Sequence, residues 1–468
     1  MDGAVTSDAI SAVFAAQCVK AAERRVTFGY AERRAALEKL TEAVRRYEPE
    51  ILAAFAADFG KPEAEVVFTE ILPVTQEIRH TLKHLRRWMR PSRVSSSLPT
   101  FGTSAQVMAQ PRGVCLIISP WNYPLNLCLG PLVSCLAAGN SAMLKPSEMT
   151  PAVSAVIARL IAETFPPDLV TVVEGGKDVS TVLLALPFDH IFFTGSPAVG
   201  RIVMEAAAKN LASVTLELGG KSPVIVGPDA DIEQAAKWIA FGKFVNAGQT
   251  CIAPDYLFVH ASMKERLLAL LRERIAKAYG DGAQSPHLAR IVNDHHARRL
   301  SGLLDDAKAK GARVVSGGEA EARAMAPTLI EAITPEMEID REEIFGPILP
   351  VIAFDDIEQV IAQINARPKP LSLYVFDRNN AFVERVLAST TSGGAGVNLT
   401  MLHFTHPDLP FGGVNNSGIG MAHGHYGFLA FSHQRAVLRN RFSPVPLVFP
   451  PYEGRTKRLI DLAKRFLG

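Results

Sequence analysis

The sequence contains no run of about 18 apolar residues, the length that a membrane-spanning helix requires. Its first residues, Met-Asp-Gly-Ala, lack the basic and apolar regions of a secretory signal peptide. The sequence also lacks a large excess of charge of either sign, since it contains 49 basic and 47 acidic residues. A nucleic-acid-binding protein would concentrate basic charge on one face. These absences predict a cytoplasmic protein without stable membrane insertion and without a nucleic-acid partner.

Cysteine is also scarce. Five residues, an odd number without regular spacing, indicate free thiols in a reducing compartment. Three of them lie in an apolar strand or helix and are predicted to belong to the core: Cys115, Cys128 and Cys135. Cys18 is predicted to take part in helix packing. The histidines His287, His295 and His296 lack the spacing of metal ligands, so we predict a solvated face there and no metal site.

The fifth cysteine, Cys251, lies in a run of small and polar residues, Asn246 to Pro254. A helix is predicted before this run, over Asp231 to Val245, and a strand after it, over Asp255 to His260. A cysteine at such a junction can face a cleft. Because the thiolate is a strong nucleophile, Cys251 is a candidate for attack on a carbonyl carbon.

The length of 468 residues predicts two or three domains. Tyr30 to Phe59 has apolar residues at helical spacing and predicts one helix, and Glu63 to Met89 predicts another. The stretch from Pro91 to Thr103 is rich in serine and proline and predicts a connector or extended arm. From Val114 onward, apolar strands alternate with helices, which is typical of a doubly wound α/β domain.

A second α/β series begins after Gly219-Gly220. It ends with a strand near Gly396 to Asn398. Beyond it, the proline-rich stretch from Phe442 to Tyr452 is predicted to run over the surface. The amphipathic stretch Thr456 to Leu467 predicts a helix that docks on the protein, with a membrane-surface helix as the alternative.

Polar residues follow two predicted strands of the first series. Asn122, in Pro120-Trp121-Asn122-Tyr123-Pro124, could donate its amide N–H to a developing oxyanion or could simply shape a turn. Lys145 and Glu148 could hold ribose hydroxyls or form a solvated turn. Ligands of open α/β sheets bind outside the carboxyl ends of the strands, which is where both segments are predicted to lie.

Two further segments end strands of the same series. Gly195 to Gly200 leads into a helix with Ser196 as N-cap and Pro197 as first residue. That helix start favours a phosphate, although the run is not the Gly-x-Gly-x-x-Gly fingerprint of dinucleotide-binding folds. Glu217 precedes two glycines and could act as a general base in a cleft, with a turn carboxylate as the alternative.

Together these segments resemble the aldehyde dehydrogenase superfamily from roughly Phe14 to Leu438. The further segments that carry the resemblance are Gly248-Gln249-Thr250-Cys251, Glu343-Ile344-Phe345-Gly346-Pro347 and Pro410-Phe411-Gly412-Gly413. The short N-terminal region, Tyr123, Ile252 to Tyr256 and Pro450 to Arg455 resemble the class 3 branch, and within it the coniferyl aldehyde dehydrogenases. Asn415 departs from the usual small or charged residue, in a turn that asparagine tolerates.

The resemblance implies an α/β protein with three parts and a tail. These are a Rossmann-like NAD(P)-binding domain (1–90 and 113–218), a second α/β catalytic domain (219–399), a small β bridging element for oligomerisation (91–112 and 400–441) and a C-terminal tail (442–468). The bridging element would pair two subunits in a homodimer.

The resemblance also implies a mechanism. Cys251 attacks the aldehyde carbon, Asn122 and the Cys251 backbone N–H hold the oxyanion, and hydride passes to NAD or NADP. Glu217, or alternatively Glu343, then activates water to hydrolyse the thioester. A carboxylate at Glu148 favours NAD over NADP. The implied cofactor contacts are Trp121, Lys145, Glu148, Gly195, Ser196, Gly200, Leu218, Gly219, Glu343 and Phe345.

The implied substrate contacts are Tyr123, Thr250, Asn398 and Thr400, and the expected substrate is an aromatic aldehyde such as coniferyl aldehyde or a medium- to long-chain aliphatic one. His403 and His406 either shape that pocket or belong to a surface loop. Two alternatives are a CoA-acylating dehydrogenase, which the presence of Glu217 disfavours, and a non-catalytic protein that keeps the fold.

Overall fold

A computed structural model describes residues 6–280 and 282–467, with side chains described as far as residue 464. Its N-terminal region is helical: α1 Ser7–Thr27, α2 Tyr30–Arg46, α3 Glu48–Phe59, α4 Glu63–Val66 and α5 Leu72–Trp88. The prediction of one helix from Tyr30 to Phe59 was wrong, since the helix is interrupted at Tyr47 and the segment forms two helices. Pro49 has no N–H to donate back into α2, but it is tolerated in the first turn of α3.

A π-helical turn, Val67–Ile71, joins α4 to α5. Pro73 has no N–H and therefore leaves the Thr69 carbonyl without its helical partner. The side-chain amide of Asn126 donates to that carbonyl at 3.2 Å. Turns of this kind are frequent at functional sites, and this one faces the segment that follows Asn122.

The first sheet has six strands in the order β17-β7-β6-β3-β4-β5, in which β17 is the short strand Gly418–Ile419. The chain forms two strands before those of this sheet, β1 Ser92–Val94 and β2 Thr103–Pro111, which belong to a separate sheet. The elements of the first sheet are β3 Val114–Ile118, α6 Asn126–Ala138, β4 Ser141–Lys145, α7 Pro151–Thr164, β5 Val170–Val172, α8 Lys177–Leu184, β6 His190–Gly195, α9 Pro197–Lys209 and β7 Ser213–Leu218. All pairs are parallel except the short antiparallel strand β17, so the carboxyl ends of β3, β4, β6 and β7 meet at one edge.

The second sheet has seven strands in the order β10-β13-β14-β9-β8-β15-β16. Its elements are β8 Pro223–Val226, α10 Ile232–Phe244, β9 Tyr256–His260, α11 Lys264–Ala278, α12 Asp294–Ala309, β10 Arg313–Ser316, β13 Thr328–Glu331, α13 Glu338–Arg341, β14 Ile348–Phe354, α14 Ile357–Asn365, β15 Ser372–Phe376, α15 Asn380–Ser389 and β16 Gly394–Val397, with a hairpin of β11 Ala320–Glu321 and β12 Ala324–Met325. β10 and β13 were not predicted. The α/β fold is confirmed.

A third sheet of β1, β2 and β18 (Ser432–Asn440) stands apart from the other two. β2 and β18 pair antiparallel over nine residues, from Ser432 opposite Pro111 to Asn440 opposite Thr103. β17 Gly418–Ile419 and α16 Gly424–Ala430 lead into this sheet, and α17 Arg455–Leu467 follows it. Within the described ranges, no helix is both long and apolar enough to span a bilayer.

The buried cysteines confirm the predicted interior. Cys115, Cys128 and Cys135 are fully buried between β3 and the N-terminal helices. Cys18 is exposed, so its predicted packing was wrong. The buried face of α1 is carried by Ile10, Phe14 and Gln17, and Cys18 lies beside that face rather than on it.

Candidate active site

The segment before Cys251 has a strained backbone. Asn246, Ala247 and Gly248 have φ values of 54°, 51° and 73° in succession, and a left-handed conformation costs roughly 1–2 kcal/mol for a non-glycine residue. Gln249 holds the turn with its side-chain amide, which donates to the carbonyls of Asn246 and Arg290 at 3.0 and 3.1 Å. Surrounding contacts of this kind allow strain to persist at functional sites.

Cys251 is half-buried and forms part of the wall of two cavities. The apolar cavity, of about 70 Å³, is bounded mainly by aromatic and aliphatic side chains, among them Phe68, Phe241, Met401 and Phe404. The polar cavity, of about 240 Å³, is bounded by Trp121, Asn122, Gly195, Ser196, Glu217, Leu218, Gly219, His296, Arg299, Glu343 and Phe345, among others. The thiol can therefore meet an apolar ligand on one side and a polar ligand on the other.

Asn122 is buried against the segment that carries the thiol. Its side-chain Nδ2 donates to the carbonyl of Gln249 at 3.0 Å, and its backbone carbonyl accepts from Nδ2 of Asn246 at 2.9 Å. An amide Nδ2 carries two hydrogens. The second one remains available, at a wall of the polar cavity, for a developing oxyanion.

Glu217 lies near the carboxyl end of β7 and is 5% exposed. Neither carboxylate oxygen has a hydrogen-bond partner among the residues that the structure describes. Burial raises the pKa of Glu217 well above its usual range. A carboxyl group with a raised pKa and free oxygens is suited to proton transfer near neutral pH.

Glu343 approaches the thiol from the second sheet. The Gly220 N–H donates to its carboxylate, and a Cβ at Gly219 would meet the same carboxylate, so a larger residue at position 219 would displace the Glu343 side chain. Burial, assisted by Asp255, raises the pKa of Glu343 to about 8. Burial first, and then the charges of Glu343 and Glu217, raise the pKa of the Cys251 thiol to about 12. The thiol therefore needs a base or a cation to become a thiolate.

The predicted cofactor residues divide into two groups. Trp121 packs on Phe345 at 5.3 Å between ring centroids, and Gly195, Ser196, Leu218, Gly219 and Glu343 surround the same polar cavity. Ser196 caps α9, as predicted, by accepting from the Val199 N–H at 3.4 Å. The start of α9 is thereby held at the cavity, where it favours an anion.

The other three predicted cofactor residues lie outside the wall of the polar cavity. Lys145 and Glu148 form an ion pair at 2.6 Å beside the end of β4. Gly200 lies against Leu218, where a Cβ would be 2.7 Å from the leucine side chain. Gly200 therefore permits the close packing of α9 on β7.

Two of the four predicted substrate residues border the apolar cavity. The Tyr123 hydroxyl and the Thr250 hydroxyl are hydrogen-bonded at 2.6 Å, directly beside Cys251. Asn398 and Thr400 are not brought to the thiol. The Asn398 side chain turns back to the backbone of Asp377, and the Thr400 hydroxyl donates to the Trp238 carbonyl at 2.7 Å.

His296 was predicted on a solvated face, and that prediction was wrong. Its ring packs on Trp121 at 5.1 Å between centroids, and burial lowers its pKa to about 4. A signal was present, since His296 lies one helical turn before the buried Leu300 of α12. His287 and His295 are exposed, as predicted.

The structure also shows the surroundings of His403, His406 and Asn415. His403 is partly buried, with Nε2 at 2.9 Å from the Ser372 hydroxyl, whereas His406 is exposed. Asn415 adopts a φ of 56°, the left-handed turn that asparagine tolerates. Its side-chain oxygen accepts from Lys369 at 2.8 Å.

A thiol, an amide donor and a carboxylate border one cavity, and these are groups that a thiol-dependent oxidoreductase uses. The family model described as the aldehyde dehydrogenase family matches residues 2–437, and the chain belongs to that family. The protein is therefore an aldehyde dehydrogenase, an enzyme that oxidises aldehydes. The predicted family is confirmed.

Relatives place the chain near the class 3 branch. It is 44% identical to a 4,4'-diaponeurosporen-aldehyde dehydrogenase of Staphylococcus aureus, over 91% of this chain and 93% of that one. It is 43% identical to a probable coniferyl aldehyde dehydrogenase of Pseudomonas aeruginosa, over 91% and 90%. It is also 42% identical to aldehyde dehydrogenase family 3 member A2 of Mus musculus, over 92% and 89%.

The fold of the chain is also similar to that of solved structures. The substrate-bound state of Staphylococcus aureus AldH superposes with a TM-score of 0.92 at 41% identity, covering 97% of this chain and 99% of that one. PnpE, solved in complex with nicotinamide adenine dinucleotide, superposes with a TM-score of 0.85 at 28% identity, covering 93% of this chain and 91% of that one.

Proposed function

We propose that this aldehyde dehydrogenase oxidises apolar aldehydes to carboxylic acids with a nicotinamide dinucleotide, through a thiohemiacetal and a thioester on Cys251. The observation that carries the proposal is the position of Cys251 between the apolar cavity and the polar cavity. An aldehyde whose apolar body occupies the first cavity presents its carbonyl carbon to the thiol.

The residues of the chain divide the chemistry among them. A carboxylate, Glu217 or Glu343, takes the proton of the Cys251 thiol, whose raised pKa requires such a base. The sulfur adds to the carbonyl carbon, and the free Asn122 amide hydrogen stabilises the oxyanion. Glu217 then takes a proton from the water that attacks the thioester, and Cys251 leaves as thiolate.

The polar cavity fits a nicotinamide dinucleotide. The capped start of α9 at Ser196 suits a phosphate, and Glu343 and Trp121 offer a hydrogen-bond acceptor and a flat apolar surface. When bound, the nicotinamide accepts hydride from the substrate carbon. We expect Lys145 and Glu148 to hold the adenosine ribose, and the negative charge of Glu148 to favour NAD over NADP.

The substrate class follows from the apolar cavity. Phe68, Phe241 and Phe404 offer aromatic surfaces to an aromatic or long aliphatic aldehyde. A kinetic panel of cinnamyl-type, benzaldehyde-type and fatty aldehydes tests this assignment. Higher kcat/KM for short polar aldehydes than for all three classes would contradict it.

Two variants test the mechanism. Cys251→Ala is expected to abolish dehydrogenase activity while NAD still binds, because the thiol forms the covalent intermediate and the polar cavity remains. Glu217→Gln is expected to prolong the lifetime of the acyl-enzyme, measured by rapid quenching and intact-protein mass spectrometry. Turnover by the first variant would refute the thiol mechanism, and an unchanged lifetime in the second would assign the base to Glu343.

A homodimer is also proposed, with the third sheet as the bridging element. β18 is an edge strand of nine residues whose side chains are mostly exposed, and such an edge pairs readily with another strand. Leu438, exposed on β18, offers a test by light scattering. Leu438→Lys is expected to weaken the dimer, whereas a monomeric parent protein would refute the assignment.

A further inference from the structure

Glu217 also faces a third cavity, which the mechanism above does not use. This rear cavity, of about 240 Å³, is bounded by Glu77, His80, Thr194, Glu217 and His423, among others. Glu217 and Thr194 belong to the walls of both the rear cavity and the polar cavity. The carboxylate therefore stands where the two cavities adjoin.

Unpartnered polar atoms collect around the rear cavity. Both oxygens of Glu217, the hydroxyl of Thr194 and Nε2 of His80 are buried and have no hydrogen-bond partner among the described residues. Buried polar atoms are as a rule hydrogen-bonded to protein or to ordered water. Since a water occupies about 30 Å³ in the liquid, the rear cavity has room for several.

His80, another residue of the rear-cavity wall, lies next to a solvent-exposed carboxylate. His80 Nε2 lies 3.6 Å from Oδ1 of Asp408, whose side chain is 66% exposed. His80 thus stands between the interior of the cavity and a solvated carboxylate. Glu77, on the same helix, accepts from the Gly424 N–H at 2.8 Å, and burial raises its pKa to about 7.

We propose that the rear cavity is a water-filled path that carries the proton of thioester hydrolysis from Glu217 to His80, and from there to Asp408 and solvent. The inference rests on the proposed role of Glu217 as the base. In that step the water oxygen bonds to the acyl carbon, the carbon–sulfur bond breaks, and Cys251 leaves as thiolate. One water proton goes to Glu217 and the other stays on the acid.

The charges around His80 suit a proton carrier. Burial lowers its pKa, as do His84, Lys83 and Arg87, while Asp408 opposes them. His80 therefore favours its neutral form, which accepts a proton from the cavity and releases it again toward Asp408. Burial and His403 lower the pKa of His423, which also lines the rear cavity, to about 4, so this second histidine stays neutral.

The test compares His80→Gln with His84→Gln. His84 lies one turn further along α5, with its ring tilted by 47° to the His80 ring at 4.4 Å between centroids, but it is absent from the wall of the rear cavity. Each substitution removes one imidazole from the same helix. We expect His80→Gln to lengthen the acyl-enzyme lifetime about tenfold, with His84→Gln close to the parent. This is less than the roughly 10²–10⁴-fold that a positioned general base contributes, because Glu217, the proposed base, remains in place.

Three further readouts separate a proton path from a structural role. The rate of acylation, read from the first turnover of NADH formation, should be unchanged in His80→Gln. Added imidazole buffer should restore hydrolysis in His80→Gln, because a small base can replace the missing one. The solvent deuterium isotope effect on hydrolysis should rise as proton removal becomes slower.

An unchanged acyl-enzyme lifetime in His80→Gln, with Glu217→Gln still slow, would overturn the path and leave the proposed function standing. An equal loss in both histidine variants would overturn it as well. A higher KM with unchanged kcat would show that the cavity holds substrate instead. An unchanged lifetime in Glu217→Gln would overturn the path as well, because it would assign the base to Glu343, whereas turnover by Cys251→Ala would count against the proposed function itself.

Discussion

Lys61 is the cation beneath the wall of the active site, and its removal should destabilise the protein measurably. Its Nζ lies 2.9 Å from Oε1 of Glu70, and both side chains are 0% exposed. The same Nζ lies 4.2 Å from the centre of the Tyr123 ring, which borders the apolar cavity. Oε2 of Glu70 accepts from the Asn126 N–H at 2.9 Å.

Lys61→Met leaves the buried carboxylate of Glu70 without its charge partner. Removing one member of a buried pair costs about 3–5 kcal/mol. Unfolding entropy is about 2.1 cal/mol/K per residue, or about 1 kcal/mol/K for this chain of 468 residues, so the midpoint of a cooperative transition should fall by about 3–5 °C. Thermal unfolding followed by circular dichroism at a fixed scan rate measures this shift.

Two controls accompany Lys61→Met. Lys61→Met combined with Glu70→Gln removes both charges and should be less destabilised than the single variant. Lys20→Met removes a partly exposed pair with Glu23 and should shift the midpoint by about 1 °C or less, since surface pairs contribute about 0–1 kcal/mol. A double variant as unstable as the single one would refute the assignment of the loss to an uncompensated charge.

Three other outcomes are expected. Glu343→Gln removes a charge that raises the pKa of Cys251, so iodoacetamide should alkylate Cys251 at a lower pH. The control Glu342→Gln changes a side chain that is 57% exposed and should have little effect. An unchanged pH dependence of alkylation in Glu343→Gln would exclude an effect of the Glu343 charge on the Cys251 pKa. Glu148→Gln should raise kcat/KM with NADP relative to NAD, because it removes the charge that repels a 2′-phosphate, and an unchanged ratio would remove Glu148 from the cofactor site. Phe404→Ala should raise KM for aromatic aldehydes through lost apolar contact, and an unchanged KM would place these substrates elsewhere.

Local patterns in the sequence predicted the elements that the structure contains. The run from Val114 to Ser119 predicted a fully buried strand, and Ser196 with Pro197 predicted the start of α9. Such features depend on neighbouring residues alone, through side-chain periodicity and backbone hydrogen bonding. The motif around Cys251 was recognisable for the same reason, because its residues are consecutive.

Other features required the tertiary structure. The stretch from Tyr30 to Phe59 forms two helices that meet at Tyr47. The strands β10 and β13 have only four residues each and include polar residues, so their hydrophobic pattern is too short to predict a strand. His296 looked solvated beside His295, yet it packs on Trp121 from a distant part of the chain. Asn398 and Thr400 looked available to a substrate, yet each side chain bonds to backbone of another element, Asn398 to Asp377 after β15 and Thr400 to Trp238 of α10.

The sequence by itself determined the family and the α/β order and singled out Cys251 as the candidate thiol, because these are carried by short consecutive segments. Only the tertiary structure decided that Glu217 from the first sheet and Cys251 from the second adjoin one polar cavity. It also decided that Glu217 faces a rear cavity on its other side. Burial and the meeting of distant side chains depend on how whole sheets and helices pack, and no local pattern encodes that packing.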